Sequence, residues 1–190
     1  MAANTNIVIV AGGSFQGKSL AALTIAYDNK YSGVLSTDSI RNFLKVNQPY
    51  SKHLSTTTFA LTDQDLLQQM KMVSDTVREM IDIYCERGEK IVIEGMHFSE
   101  EFYQWSSKQP LKRICMNNLL PFSQRVKLKA MTRTCLEFDE ATNEYSAVQA
   151  RITEIHNRIL KQCAENSFEI INYTDFDEAH EQIQKHLGHE

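Results

Sequence analysis

A chain of 190 residues with 42% apolar side chains can bury one hydrophobic core and is short for two, so residues 1–190 are expected to form a single domain. The net charge of -4 provides no overall basic field, which disfavours extended contact with duplex nucleic acid. No segment resembles a secretion signal or a membrane span, and the four cysteines are too scattered for a zinc site or a disulfide framework, so we expect a cytoplasmic protein with no membrane partner.

Strands and helices alternate along the chain. The patterns predict, in order, strand 6–10, helix 18–28, strand 33–36, helix 38–44, an irregular and exposed stretch 47–61, a long helix 62–88, strands 90–95 and 112–116, helices 121–136 and 145–165, strand 168–172 and a helix from 177. Alternation of this kind is typical of an α/β fold with a parallel sheet, here five-stranded, and helices on both faces.

The turn after the first strand matches a phosphate-binding loop. Its eight positions, G-x-x-x-x-G-K-S, are Gly12, Gly13, Ser14, Phe15, Gln16, Gly17, Lys18 and Ser19. Glycines let successive backbone N–H groups converge on a phosphate, and the helix that follows adds partial positive charge. We expect Lys18 to bridge the β- and γ-phosphates of ATP or GTP and Ser19 to ligate Mg²⁺. Phe15 and Gln16 are unusual here and either cover the phosphates or pack outward.

Asp38 follows the second strand, at the sheet edge where the phosphate loop is predicted to lie. A carboxylate at this position is suited to accept the proton of an attacking hydroxyl. Arg41, one helical turn later, is suited to bind an anionic group of the acceptor. The alternative is that Asp38 caps a helix and Arg41 is a surface cation.

Glu94 ends the third strand, and His97 follows it on the same rim. A carboxylate after a run of buried aliphatic residues needs a cation or a basic partner, so Glu94 is predicted to hold Mg²⁺ or to orient the acceptor. His97 is predicted to contact the acceptor. The alternatives are that Glu94 is a surface acid at the end of a strand and that His97 is a polar neighbour whose hydrogen bonds are satisfied.

Two further regions are candidates for contact with the nucleotide. Arg133 belongs to a basic cluster that precedes a polar stretch, and it is our first choice for a catalytic arginine on a lid around residues 130–145. Asn172 and Asp175 follow the last strand and are predicted to contact the base, with a plain turn as the alternative.

Three segments together resemble a known family. The phosphate loop, Ser-Thr-Asp-Ser-Ile-Arg at 36–41 and Ile-Glu-Gly-Met-His at 93–97 are similar to the kinase domain of archaeal-type 2-phosphoglycerate kinases, and residues 151–156 and 170–175 resemble the closing helix and strand of that family. The resemblance implies a three-layer P-loop kinase fold with an adenylate-kinase-like core, and ATP-dependent phosphorylation of a small phosphorylated or carboxylated hydroxy compound. Phe15 and Gln16 depart from the family, which has small residues there.

Two other functions stay open. The pattern D-x-x-R at 38–41 also resembles 5′-hydroxyl polynucleotide kinases, for which the partner would be the 5′ end of a single-stranded nucleic acid. A nucleotide-binding regulatory module without turnover is the third hypothesis. The sequence favours transfer chemistry because Lys18 and Asp38 are both present.

Overall fold

A parallel five-stranded sheet lies at the centre of the structure, a computed structural model that describes residues 6–55, 58–130 and 143–188. The strands are β1 (Ile7–Ala11), β2 (Gly33–Ser36), β3 (Ile91–Gly95), β4 (Lys112–Asn118) and β5 (Glu169–Tyr173). The helices are α1 (Lys18–Asp28), α2 (Thr37–Asn47), α3 (Lys52–Ser55), α4 (Asp63–Glu86), α5 (Glu100–Ser106), α6 (Phe122–Ala130), α7 (Asn143–Glu165) and α8 (Phe176–Leu187). The predicted α/β fold class is confirmed.

The strand order is β2-β3-β1-β4-β5, so β1 is the middle strand. Every residue of β1 is buried, as its unbroken run of β-branched side chains predicted. Glu94 of β3 lies in register with Val10 on one side and with Ser36 on the other. The carboxyl ends of β1, β2 and β3 therefore meet at one edge, and the segments that follow these strands share one crevice.

Two hydrophobic cores lie on opposite faces of the sheet. Alternate residues of β1 divide between them, with Ile7 and Ile9 in one core and Val8 and Val10 in the other. The first core packs α2, α4, α5 and α7 against the sheet, and the second packs α1 and α8. The result is three layers of helix, sheet and helix.

The stretch 47–61 is more ordered than its weak periodicity suggested. It contains α3 and a single 3-10 turn (Thr58–Ala60), and it buries Leu54 and Thr58, so the prediction of an irregular, exposed segment is wrong for these parts. Helix α5 was also not predicted; it is too short to show helical periodicity and is recognisable from its N-cap Ser99 and the acids in its first turn. Within the described part of the chain, no helix has both the length and the apolar character that a membrane span requires.

Candidate active site

The phosphate loop connects β1 to α1 and depends on glycine at two positions. Gly12 has φ 146° and Gly17 has φ 70°, conformations that side chains with a Cβ rarely adopt. A Cβ on Gly17 would also collide with the hydroxyl of Tyr173. The loop therefore has the curled backbone that the glycine pattern predicted.

Three hydrogen bonds hold the loop from β4, β5 and α7. The Gly13 N–H donates to His156 Nδ1 at 3.1 Å, and the Tyr173 hydroxyl donates to the Gln16 carbonyl at 2.9 Å. The Asn118 N–H donates to Gln16 Oε1 at 2.7 Å. Because Gln16 is only 1% exposed, its side chain packs inward beneath the loop rather than outward. The concave shape of the loop is thus fixed by neighbouring elements before any ligand binds.

Phe15 lies at the tip of the loop with φ 62°, a left-handed conformation that is costly for a bulky residue. Its ring packs edge-on against Phe122 of α6, with centroids 5.4 Å apart, and the Lys129 ammonium lies 4.5 Å from its centroid. These contacts stabilise the strained conformation and connect the loop to the helix that precedes residues 131–142.

Lys18 reaches back across the loop and donates from Nζ to the Gly13 carbonyl at 2.8 Å. Burial lowers the pKa of Lys18, and the negative charges of Glu94 and Asp38 oppose that shift. The ammonium group therefore lies within electrostatic reach of both carboxylates. The structure brings Lys18, Glu94 and Asp38 together at the carboxyl ends of β1, β2 and β3.

Ser19 and Glu94 form an oxygen-rich pair beside Lys18. The Ser19 hydroxyl donates to Glu94 Oε1 at 3.2 Å, and Glu94 is only 6% exposed. A hydroxyl and a carboxylate at this separation fit Mg²⁺, which binds one or two protein oxygens and takes its other ligands from phosphate and water. No three His, Cys, Asp or Glu side chains of the described residues cluster as a metal site of their own.

Asp38 lies in the first turn of α2, where the N-terminal end of the helix favours negative charge. Its side chain is 68% exposed, and its Oδ1 lies 4.0 Å from Arg41 Nε and 3.8 Å from His97 Nδ1. The N-cap of α2 is Ser36, which accepts the Asp38 N–H, so the Asp38 carboxylate is not needed as the cap. Arg41 is only 19% exposed, and its Nε is buried with no hydrogen-bond partner in the structure.

His97 is fully buried behind Asp38. Thr58 Oγ1 donates to Gln69 and therefore accepts from His97 Nε2 at 3.0 Å, which leaves Nδ1 to accept the Thr37 hydroxyl at 3.0 Å. Burial lowers the pKa of His97 to about 4; Asp38 opposes the shift, and Arg41 and Lys18 add to it. This neutral imidazole links Thr37, the residue before Asp38, to the 3-10 turn and α4.

The ends of β4 and β5 carry amide side chains. Asn117 Nδ2 donates to Asn172 Oδ1 at 2.6 Å, and Asn172 is exposed at the rim of the crevice. Asp175 is the N-cap of α8, where its Oδ1 accepts the Asp177 N–H at 2.8 Å. Asp175 therefore has a structural role, and contact of either residue with a nucleotide stays a prediction.

Arg133 and most of the predicted lid lie outside the described residues. Two other arginines, Arg151 and Arg158 of α7, form ion pairs with Asp63 of α4 and Glu154, and Arg151 also donates to the Leu61 carbonyl. Arg125 of α6 is half-buried, and its Nε has no hydrogen-bond partner in the structure. Burial lowers the pKa of His156 to about 4, and the positive charges of Arg125 and Lys18 add to that shift.

Sequence reasoning missed the residues that support the loop from behind. His156 is 143 residues from Gly13, and no local pattern connects them. Tyr173 and Asn118 end β5 and β4, and their position at the carboxyl ends of the two strands on one side of β1 is the one signal that points to them.

Several solved structures are similar to this chain over nearly its whole length. A sugar kinase from Janibacter sp. HTCC2649 is similar with a TM-score of 0.59 at 14% identity, covering 97% of this chain and 95% of that one. A shikimate kinase from Bacteroides thetaiotaomicron has a TM-score of 0.63 at 10% identity, covering 96% and 98%. A dephospho-CoA kinase from Campylobacter jejuni has a TM-score of 0.54 at 16% identity, covering 97% and 96%. No family model and no curated protein matches the sequence. The chain therefore has the P-loop kinase fold.

Proposed function

We propose that this protein is a nucleoside-triphosphate-dependent kinase, with ATP the expected donor, that transfers the γ-phosphoryl group to a hydroxyl of a small anionic metabolite resembling 2-phosphoglycerate. The observation that carries the proposal is the position of Lys18, which reaches across the phosphate loop with Glu94 and Asp38 within electrostatic reach of its ammonium group. The names of the structural neighbours, which include sugar, shikimate and dephospho-CoA kinases, support the same class of reaction.

On the donor side, the loop amides and Lys18 bind the β- and γ-phosphates, and Ser19 and Glu94 hold Mg²⁺. When bound, the ion neutralises negative charge on the phosphate oxygens. The Lys18 ammonium has three N–H donors, so it donates to phosphate oxygens while it keeps its bond to the Gly13 carbonyl. Because burial has already removed much of its water, its interaction with developing negative charge is strengthened.

On the acceptor side, Asp38 accepts the proton of the attacking hydroxyl. Among the described residues, no hydrogen bond holds its exposed carboxylate away from the crevice, and the neutral His97 supports the start of α2 behind it. Arg41 binds an anionic group of the acceptor, because its buried Nε–H lies 4.0 Å from Asp38, has no hydrogen-bond partner in the described part of the chain, and so favours an acceptor oxygen. A single arginine here fits a small carboxylate or phosphate ester.

Arg125 supplies additional positive charge at the phosphates. It lies near the loop with an unpartnered Nε, and a guanidinium in that position stabilises the charge of the transferring phosphoryl group. Arg133 is proposed to act in the same way from the lid.

The direction of the nucleotide follows from the geometry of transfer. Attacking and leaving oxygens lie roughly in line, so the acceptor at Asp38 and the leaving nucleoside diphosphate occupy opposite sides of the γ-phosphate. Since α2 follows β2 at one end of the sheet, the nucleoside extends toward β4 and β5, where Asn172 and the Asp175 turn are candidates for contact with the base.

Incubation of the purified protein with γ-labelled ATP, Mg²⁺ and a panel of acceptors tests the proposal. The panel contains hydroxy acids, phosphorylated hydroxy acids and a 5′-hydroxyl oligonucleotide. We expect label on a small hydroxy compound that carries a carboxylate or phosphate, and we expect Arg41→Ala to raise KM for that acceptor about tenfold or more while leaving the nucleotide Kd unchanged.

Label on the oligonucleotide would replace this proposal with the polynucleotide kinase, for which the Asp38–Arg41 pair is the supporting observation. Tight nucleotide binding without any labelled product would contradict both kinases and favour a regulatory module.

A further inference from the structure

The Gly13 backbone is held on both sides of its Cα. Its N–H, in the Gly12–Gly13 peptide, donates to His156 Nδ1 at 3.1 Å, and its carbonyl, in the Gly13–Ser14 peptide, accepts from Lys18 Nζ at 2.8 Å. One residue therefore connects an imidazole on α7 to the lysine that is proposed to bind the phosphates. His156 itself is only 6% exposed.

The neighbouring hydrogen bonds determine where the imidazole carries its proton. Since a backbone N–H can only donate, Nδ1 must be bare, and the proton of the neutral ring is on Nε2. Nε2 then donates to Asn117 Oδ1 at 3.0 Å, and the Asn117 amide donates onward to Asn172 Oδ1 at 2.6 Å. Each hydrogen bond in this series, from Asn172 at the rim of β5 to Gly13 in the phosphate loop, joins one donor to one acceptor.

The packing leaves no room for the loop to shift at this point. A Cβ on Gly13 would lie 2.7 Å from the His156 Cβ and 3.1 Å from its Cα, so α7 packs directly on the loop backbone. The charged groups that face the ring are Arg125 of α6 and Lys18, and both disfavour a second proton on it. Protonation would also set two donors, Nδ1–H and the Gly13 N–H, against each other.

We propose that His156 is a positioning residue for the phosphate loop: by accepting the Gly13 N–H with a bare Nδ1, it fixes the backbone of Gly13, whose carbonyl in turn holds Lys18. The ring does not touch the nucleotide and acts through Gly13. The consequence for triphosphate binding rests on the proposed kinase function, whereas the hydrogen bond itself does not.

Two substitutions of His156 test the roles of its two ring nitrogens separately. His156→Asn retains an acceptor near the position of Nδ1, whereas His156→Gln extends its amide toward the position of Nε2 and loses that acceptor. Calorimetry should measure the affinity of each variant for a non-hydrolysable ATP analogue and for inorganic tripolyphosphate, both with Mg²⁺. We expect His156→Gln to weaken both ligands about tenfold, which corresponds to about 1.4 kcal/mol, and His156→Asn to stay within about threefold of the wild type.

Hydrogen exchange of the Gly13 amide, followed by NMR, provides a readout that needs no ligand. Its exchange should be slow in the wild type and in His156→Asn and faster in His156→Gln, when the variants are compared at equal unfolding free energy. Equal exchange and equal affinity in both variants would overturn the inference and leave His156 as a packing residue. If the wild type bound neither ligand, the kinase proposal would fail, and the exchange measurement alone would decide the role of His156.

Discussion

The two sides of the crevice differ in how firmly their residues are held. On the donor side, the phosphate loop is tied to His156, Tyr173 and Asn118, and Gln16 is almost completely buried. On the acceptor side, Asp38 is 68% exposed, and its Oδ1 lies 3.8 Å from the neutral His97 ring and 4.0 Å from the Arg41 guanidinium.

This contrast indicates which part of the reaction each side determines. In the proposed kinase, a phosphate loop that is already held by its neighbours would bind phosphates with little rearrangement. An open acceptor site that presents Arg41 would restrict the charge of the acceptor more than its shape. The few residues of the phosphate loop are therefore enough to infer the class of reaction. They are not enough to infer the identity of the acceptor.

Substitution of Lys18, which lies between the donor and acceptor sides of the crevice, should have the largest effect on activity. Lys18→Ala deletes the buried charge between the loop and the carboxylates, and we expect kcat/KM to fall by about a thousandfold or more. The matched control is Lys71→Ala, which removes an exposed lysine paired with Asp75. Activity within tenfold of the wild type would show that Lys18 does not stabilise the transferring phosphoryl group.

Asp38→Asn should affect the acceptor side alone. The amide preserves size and polarity in the first turn of α2 but cannot accept a proton, so kcat should fall about 10²–10⁴-fold. The Kd of the ATP analogue should change by less than about twofold, because the donor side is held independently. Asp75→Asn, an exposed carboxylate on α4, is the control. A near-normal kcat would exclude Asp38 as the base, and a large loss of nucleotide affinity would show that the two sides are coupled.

Each side of the crevice contains a buried neutral imidazole, His97 or His156. A fall in pH should therefore destabilise the folded protein through each of them. Burial lowers the pKa of His97 and of His156 from 6.5 to about 4, so the unfolded chain binds the proton more tightly than the folded one. Stability is therefore lost as the pH falls from about 6.5 to about 4, by roughly 3 kcal/mol for each histidine. Urea denaturation at several pH values measures this loss, and His156→Asn should remove its share. An unchanged slope in that variant would contradict the assignment for His156.

Much of the donor side could be predicted from sequence, because its signals are local. The glycines, Lys18 and Ser19 lie within eight consecutive positions, and the strand before them reads as buried on both faces. Asp38 and Glu94 follow from their places after parallel strands. His156, Tyr173 and Asn118 could not be found in this way, because their roles arise from contacts across 143, 157 and 102 positions of the chain. The short helices α3 and α5 were missed because one or two turns do not establish a period.

The smallest expected effect concerns the tip of the loop. Phe15→Ala removes the ring contact with Phe122 but keeps a Cβ at φ 62°, whereas Phe15→Gly removes the contact and the strain together. We expect both variants to lower the free energy of unfolding, and the glycine variant to be more stable than the alanine variant by about 1 kcal/mol. Chemical denaturation of the two variants measures the difference. If alanine were the more stable, residue 15 would not hold a left-handed conformation in solution. A double-mutant cycle with Phe122→Ala should give a coupling of about 0.5–1.5 kcal/mol, because the aromatic contact, unlike the backbone strain, requires both rings.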